Sequence, residues 1–321
     1  MNPRQVVFTV TAELPLLVAA QGVAYVSSEK DHALAVLDLK TQAVIGTVPT
    51  CKRPRHLQIT PDGKQLAVAC GDSAEADFID LATRKSLRRV PLGPDPEIFD
   101  LSADGKTLYV SNEEDAVLGI VDLASGKRRG EVKVGGEPEG VKLSADGRLV
   151  YVTSEVTNMV QAVDLATAKV VHSIPVGKRP RRFALTPDGS QLWVSNELGA
   201  SVSIIDTKSH RVLDTLRFEI KGARATDITP VGLLISRDGQ RAFVALGRAN
   251  HVAFVDVATR KVSDVVPVGK RAWGLALDKA EKTLYVVNGL SDDLTIVDVA
   301  SAKALKTVRV GRVPHSVVVV E

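Results

Sequence analysis

The chain has 321 residues, 45% hydrophobic and 25% charged, which belongs to a globular protein and excludes a disordered or fibrous one. Its 41 basic and 38 acidic residues nearly cancel to +3, so overall charge gives no support for a nucleic-acid partner. Two cysteines, Cys51 and Cys70, make no disulfide framework, and no apolar run reaches the roughly 18 residues of a membrane helix.

The first segment, "MNPRQVVFTVTAELPLLVAAQG", places Arg4 before an apolar stretch that ends in small residues at Ala19 and Ala20. Residues 1–20 therefore read either as a degenerate secretion signal, interrupted by Glu13, or as an extra strand or tail ahead of one folded unit at 21–321. From there the chain repeats itself. A Leu-Asp, Ile-Asp or Val-Asp pair ends at Asp38, Asp80, Asp122, Asp164, Asp206, Asp256 and Asp298, at spacings of 42, 42, 42, 42, 50 and 42. A period of this length with β-branched content is the signature of a propeller blade, and seven copies predict seven blades.

The copy at 138–176 shows the predicted blade. "PEGVKLS" alternates and meets the tight turn "SADG", "RLVYVTS" follows, then "VQAVD", and "VVHSIPV" closes four antiparallel strands. The recurrent Asp is expected to accept N–H groups of the turn that follows it. Trp193, Tyr109, Tyr151 and Tyr285 fall on second strands and read as packing between blades. The chain opens on a second strand, "VAYVS" (23–27), and ends on a first strand, "PHSVVVVE" (314–321). The fold predicted is thus an all-β, seven-bladed propeller whose C-terminal strand, at about 314–320, completes the N-terminal blade and removes an open sheet edge.

"LYVSN", "VYVTS", "LWVSN" and "LYVVN", with the V-D and V-G-x-x-P pattern, resemble the YVTN-type β-propeller repeat over about residues 22–320. "GPDPE" (93–97), "SEVTNM" (154–159), "GKRPRRFALTPDG" (177–189), "ITPVG" (228–232) and "FVALGRANHVAFVD" (243–256) are similar to the seven-bladed subfamily associated with pyrroloquinoline-quinone-dependent alcohol catabolism. That resemblance implies export to the periplasm and a setting among quinoprotein dehydrogenases and c-type cytochromes. It implies no reaction.

Loops joining one blade to the next should meet at one mouth of the central channel, above a rigid scaffold. The residue after each first-strand proline, or its equivalent, reads Arg55, Glu97, Glu139, Arg181, Val231, Trp273 and His315. The residue before it reads Arg53, Asp95, Glu137, Arg179, Thr229, Arg271 and Val313. A purely structural position would repeat like its neighbours, whereas these vary and, outside Thr229, Val231 and Val313, stay charged or aromatic. Acids on two adjacent blades flanked by bases, Arg182 among them, suggest a dipolar funnel for a small anionic or zwitterionic ligand, or mutual ion pairing across the mouth. Trp273 is placed to stack on a flat ligand or to pack in the core.

Glu29, Glu113, Glu155 and Glu197, with Asn112 and Asn196, offer oxygen ligands for a divalent metal if they converge. Of six histidines, His56 and His315 fall near the mouth and His32 and His251 on upper loops, and no C-x-x-C-H occurs. Cys51 and Cys70 register to one face, as a disulfide or as two free thiols. The insertion "RFEIKGARATDITP" (217–230) is expected to bring Lys221 and Arg224 to the mouth as a partial lid. No G-x-S-x-G elbow or phosphate-cradling glycine loop occurs. The leading expectation is a non-enzymatic periplasmic binding or accessory protein with a quinoprotein dehydrogenase or c-type cytochrome as partner. The alternatives are a lactonase-like, metal-dependent hydrolase and a single-stranded-DNA-binding propeller, the second opposed by the mouth's acids.

Overall fold

A computed structural model describes residues 22–321, so the expected signal or tail at 1–20 lies outside the described residues. Seven sheets of four antiparallel strands form a ring. The inner strands, nearest the axis, run Pro54–Ile59, Pro96–Leu101, Pro138–Leu143, Pro180–Leu185, Leu233–Ile235, Ala272–Leu277 and Pro314–Val320. The last of these joins blade 1, where Val320 pairs with Val23, Val318 with Tyr25 and Val317 with Val26. Ring closure by the C-terminal strand is as the repeat predicts. No helix of the described residues is long and apolar enough to cross a membrane.

Each blade's turn is built as its Asp requires. The Oδ1 of Asp38, Asp80, Asp122, Asp164, Asp206, Asp256 and Asp298 accepts from the backbone N–H three residues on, at 2.6–2.8 Å. The hydroxyl of that same Thr or Ser also donates to each carboxylate, and the hydroxyl and backbone bonds together hold all seven carboxyls below the usual carboxylate range. Apolar side chains interleave between neighbouring sheets. Trp193, fully buried, packs with Ala242, Val244 and Val255 of the next blade. Cys51 and Cys70 are joined in a buried disulfide with Cα atoms 5.7 Å apart. It ties the connection entering blade 2 to the end of that blade's second strand, a constraint on the unfolded chain worth about 3 kcal/mol.

The insertion folds back rather than reaching out. Phe218 and Ile228 are buried in the core between blades 5 and 6. Its short 3-10 turn spans Ala225–Asp227, and the sixth inner strand is cut to three residues, Leu233–Ile235. Arg224 and Lys221 are exposed, and Arg224 is tied to Asp227 of its own turn at 2.8 Å. Among the described residues neither pairs with a mouth carboxylate, so the expected contribution of these two cations to the mouth is not found.

Candidate functional site at the channel mouth

In six of the seven blades the inner strand carries one extra residue against its neighbour, a β-bulge just past its first position. In blade 3, Pro96 pairs with Asn112 but Phe99 with Val110. A bulge leaves a backbone N–H without a ladder partner and re-aims the side chains around it. In four blades a hydroxyl of the second strand supplies the missing acceptor. Ser316, Ile98, Gly140 and Arg182 donate their N–H to Ser27, Ser111, Thr153 and Ser195 at 2.7–3.2 Å. The same hydroxyls donate onward to the next blade, to the carbonyl oxygens of Arg55, Glu139, Arg181 and Val231, at 2.6–3.3 Å. The second-strand Ser or Thr thus locks the backbone of the mouth residues. Sequence reading passed over it as ordinary strand composition.

The side chains so held form a buried belt across the axis. Arg55 bonds Glu97, Arg181 bonds Glu155 and lies 3.4 Å from Glu139, and Arg182 bonds Glu139. Contacts that skip blades prove the convergence. Arg182 of blade 5 lies 3.4 Å from His315 of blade 1, and the Arg181 guanidinium stands 5.3 Å from the Trp273 ring centre of blade 7. Glu97 is fully buried and Glu139 is 2% exposed. At Glu139 the cost of burial is overcome by Arg181 and Arg182, which hold the carboxyl down to about 2. At Glu97 burial and the nearby Glu139 push the carboxyl well up. Burial, then Arg55 and Arg182, keeps the His315 imidazole neutral.

Outside the belt lies a half-buried tier. Arg53 pairs with Asp95 at 2.9 Å and with Asp72 at 3.5 Å, while Arg179 sits 2.6 Å from Glu155 and 3.3 Å from Glu197. Arg53, Asp95, Glu137, Arg179 and Arg271 all have φ between 37° and 60°, because the turn entering the inner strand needs a left-handed residue there. Glu137 is exposed and has no ion pair among the described residues. Arg271 lies over Trp273, its guanidinium carbon 4.0 Å from the ring centre, and among the described residues no carboxylate comes within 4.0 Å of it. Of the sequence-predicted mouth residues, the structure gathers Arg55, Glu97, Glu139, Arg181, Trp273 and His315 at the axis and Arg53, Asp95, Arg179 and Arg271 around them. Mutual ion pairing, the second of the two readings of this ring, accounts for most of its charge.

Most of the expected metal ligands are engaged by other partners. Asn112 donates to the carbonyls of Leu92 and Pro94, and Asn196 to Ser201 and Ser203, so both amides brace loops. Glu155 and Glu197 are spent on Arg179 and Arg181. Asp95, Glu97 and Glu113 bring carboxylate oxygens within 4.8 Å of one another. With Arg53 on Asp95 and Arg55 on Glu97, two of the three are already neutralised, and the donor set does not fit a divalent ion. His32 accepts from the Arg53 N–H at 3.1 Å, a loop brace rather than a ligand.

Burial and the carboxylates Glu139 and Asp95 push Glu113 above its ordinary range. A carboxyl raised in the folded state stabilises fully below its unfolded pKa, near 4.3, and that contribution is lost as pH rises through the folded value. Glu113→Gln is therefore expected to raise the melting temperature at pH 8 and to leave it unchanged at pH 4. A pH-independent effect in a melting series would show that Glu113 feels no like charge.

Below the belt the channel opens into a chamber of about 260 Å³, walled by Trp273, His315, Arg182, His56 and Phe99 among others. His56 lies edge-on to Phe99 at 4.9 Å, and burial followed by Arg182 holds its imidazole down to about 3. The chamber shares His56, Gln58, Leu275 and Ser316 with a lower cavity of about 470 Å³. On blades 2–4 the wall of the upper chamber is polar. Asp100 accepts from Gln58 at 2.8 Å and from Lys142 at 2.9 Å. On blades 6, 7 and 1 the wall of the lower cavity is apolar, with Leu234, Ala276 and Val318.

Two family models match parts of the chain: "Lactonase, 7-bladed beta-propeller" over residues 137–230 and "Choice-of-anchor I domain" over residues 200–286. No curated protein matches. Among solved structures, the chain is similar to a protein of unknown function from Desulfotomaculum acetoxidans, at TM-score 0.79 and 15% identity, covering 92% of this chain and 98% of that one. It is similar to Kuenenia stuttgartiensis hydrazine synthase at TM-score 0.71 and 24% identity, over 82% and 88% of the two chains. It is also similar to dihydro-heme d1 dehydrogenase NirN in complex with DHE, at TM-score 0.70 and 16% identity, over 96% and 77%. At these identities the likeness is one of fold.

Proposed function

We propose that the chain is a non-enzymatic accessory protein of the periplasm, a YVTN-type propeller of the group associated with pyrroloquinoline-quinone-dependent alcohol catabolism, whose mouth takes a flat anionic ligand. The observation that carries this reading is Arg271 lying on the face of Trp273 without a carboxylate of its own. A guanidinium stacked on an indole presents charge beside an aromatic plane, which suits a planar polycarboxylate such as the quinone cofactor. The belt beneath supports binding over catalysis, because Arg55, Arg181 and Arg182 are engaged by Glu97, Glu139 and Glu155. The disulfide supports an oxidising compartment. Val156, Leu198 and Leu290, exposed on loops of the mouth face, support docking of a protein there. A haem protein or quinoprotein dehydrogenase is the partner proposed, and the likeness to the haem d1 protein NirN supports the first.

Calorimetric titration of pyrroloquinoline quinone tests the reading. Arg271→Ala is expected to weaken binding at least tenfold, and Arg271→Lys to restore part of it. Equal affinity in the Ala variant, or no binding to the native protein, would remove the ligand.

The lactonase match spans Glu139, Arg181 and Arg182, and this favours lactone hydrolysis as a second reading. Turnover of a lactone panel that is abolished by Glu139→Gln would establish it over the first.

A further inference from the structure

We propose that the inner chamber and the duct beneath it form a second binding site, reached from the face opposite the mouth, for an aliphatic carboxylate: head group under the belt, chain along the duct. The proposal goes beyond the mouth reading, since it involves a different cavity and a different ligand.

The head-group end is defined by donors that lack acceptors. Arg182 can only donate, so the His315 Nε2 that it faces at 3.4 Å is the accepting nitrogen, and the ring proton sits on Nδ1. That Nδ1 is buried with no partner, and so is Trp273 Nε1, a donor in every state. Both rings line the chamber, together with the Arg182 guanidinium. Each is nine-tenths or more buried as a residue, at 4% exposed. Two buried N–H groups without partners are a costly arrangement unless an acceptor meets them. A carboxylate head group is the acceptor proposed for both, beside an Arg182 already bonded to Glu139.

The chain end is defined by what continues from the chamber. A free inorganic anion would need a polar path, yet along blades 6, 7 and 1 the duct offers Leu234, Ala276 and Val318. Its outlet carries Arg237 and Glu281, paired at 3.3 Å, and Asp278, on hairpins of the lower face. A polar inner end, an apolar wall and a charged exit match an amphiphile with one anionic group. A ligand with charge at both ends would strand one of them against the aliphatic wall.

The test uses the protein's own reporter. The chain has two tryptophans, Trp193 and Trp273. Trp193 is fully buried between blades, so Trp193→Phe leaves Trp273 as the single indole. Sodium octanoate is expected to change its emission saturably. Affinity should rise along acetate, butyrate, hexanoate and octanoate by up to about fourfold per buried CH₂. Octan-1-ol, with the same chain and no charge, should bind at least tenfold more weakly. His315→Phe keeps the ring and removes the Nδ1–H, and should weaken octanoate at least fivefold. Ala276→Phe fills the duct and should abolish the chain-length dependence. Affinity independent of chain length in the native protein would overturn the duct, and octanol binding as tightly as octanoate would overturn the carboxylate. No saturable change, checked by calorimetry on the unsubstituted protein, would overturn the site. Competition separates the two sites. Octanoate that binds unaffected by saturating pyrroloquinoline quinone supports a chamber apart from the mouth, and mutual displacement would collapse both onto one site. Failure of one ligand with binding of the other leaves the other reading standing.

Discussion

Glu139→Ala is expected to destabilise the protein by about 3–5 kcal/mol, the range for removing one partner of a buried ion pair. The carboxylate is 2% exposed and serves two guanidiniums, Arg181 at 3.4 Å and Arg182 in direct hydrogen bond. Arg181 keeps Glu155 and Glu197 when Glu139 goes, but among the described residues Arg182 has no other carboxylate within 4.0 Å. The loss is therefore the stranded charge on Arg182, not the worth of the pair. Glu139→Leu combined with Arg182→Leu should recover most of the difference, because a matched apolar replacement removes both desolvation costs. Urea unfolding of the two single variants and the double variant gives the coupling directly, and a double variant as unstable as the sum of the singles would refute the pairing. The sign with pH is fixed as well. A carboxyl held down to about 2 in the folded protein stabilises it above its unfolded value near 4.3, and loses that contribution as pH falls toward 2. The gap between native protein and Glu139→Ala should thus narrow steadily below pH 4.

Removing residues 314–321 is expected to abolish cooperative folding outright. That strand supplies the inner position of blade 1 and pairs along the whole of Val23–Ser28, every residue of which is buried. It also brings Val317 into the core shared with blade 7, and His315 to the belt. Without it, an apolar strand would stand as an open sheet edge, and the ring would lose its contact between first and last blades. Circular dichroism should show loss of a single melting transition, and gel filtration should show association. A monomeric, sharply melting truncated chain would mean that the ring does not depend on its closing strand.

Much of this was legible in the residues. The 42-residue spacing of Asp38 through Asp206 announces one repeated sheet, and the Asp at each strand end announces its turn, since both depend on short-range rules. Equivalent positions of a ring must meet at its axis, which is why Arg55, Glu97, Glu139, Arg181, Trp273 and His315 could be grouped before any coordinate. Their pairing was not legible, because it depends on reach and rotamer across the channel. Arg181 turning to Glu155 and Glu139, rather than facing a ligand, is such a case. The chamber was hidden for another reason. Strict alternation puts the second and fifth residues of a strand on opposite faces, so Glu97 and Asp100 read as pointing apart. The bulge inserts one residue between them and brings both to the channel side. Asn112 and Asn196 misled in the opposite direction: an amide at a loop is as good a brace as a ligand, and composition does not distinguish the two.

That same inserted residue has a further consequence. Because it stands between the upper and lower rows of six of the inner strands, the two rows answer to different neighbours: the upper, in four blades, to hydroxyls of the adjoining sheet, the lower chiefly to the cavities beneath. Descent with modification could then rewrite what the lower row prefers, blade by blade, while the upper row keeps its lock. A scaffold divided in this way can acquire a new cargo without first giving up its rigidity.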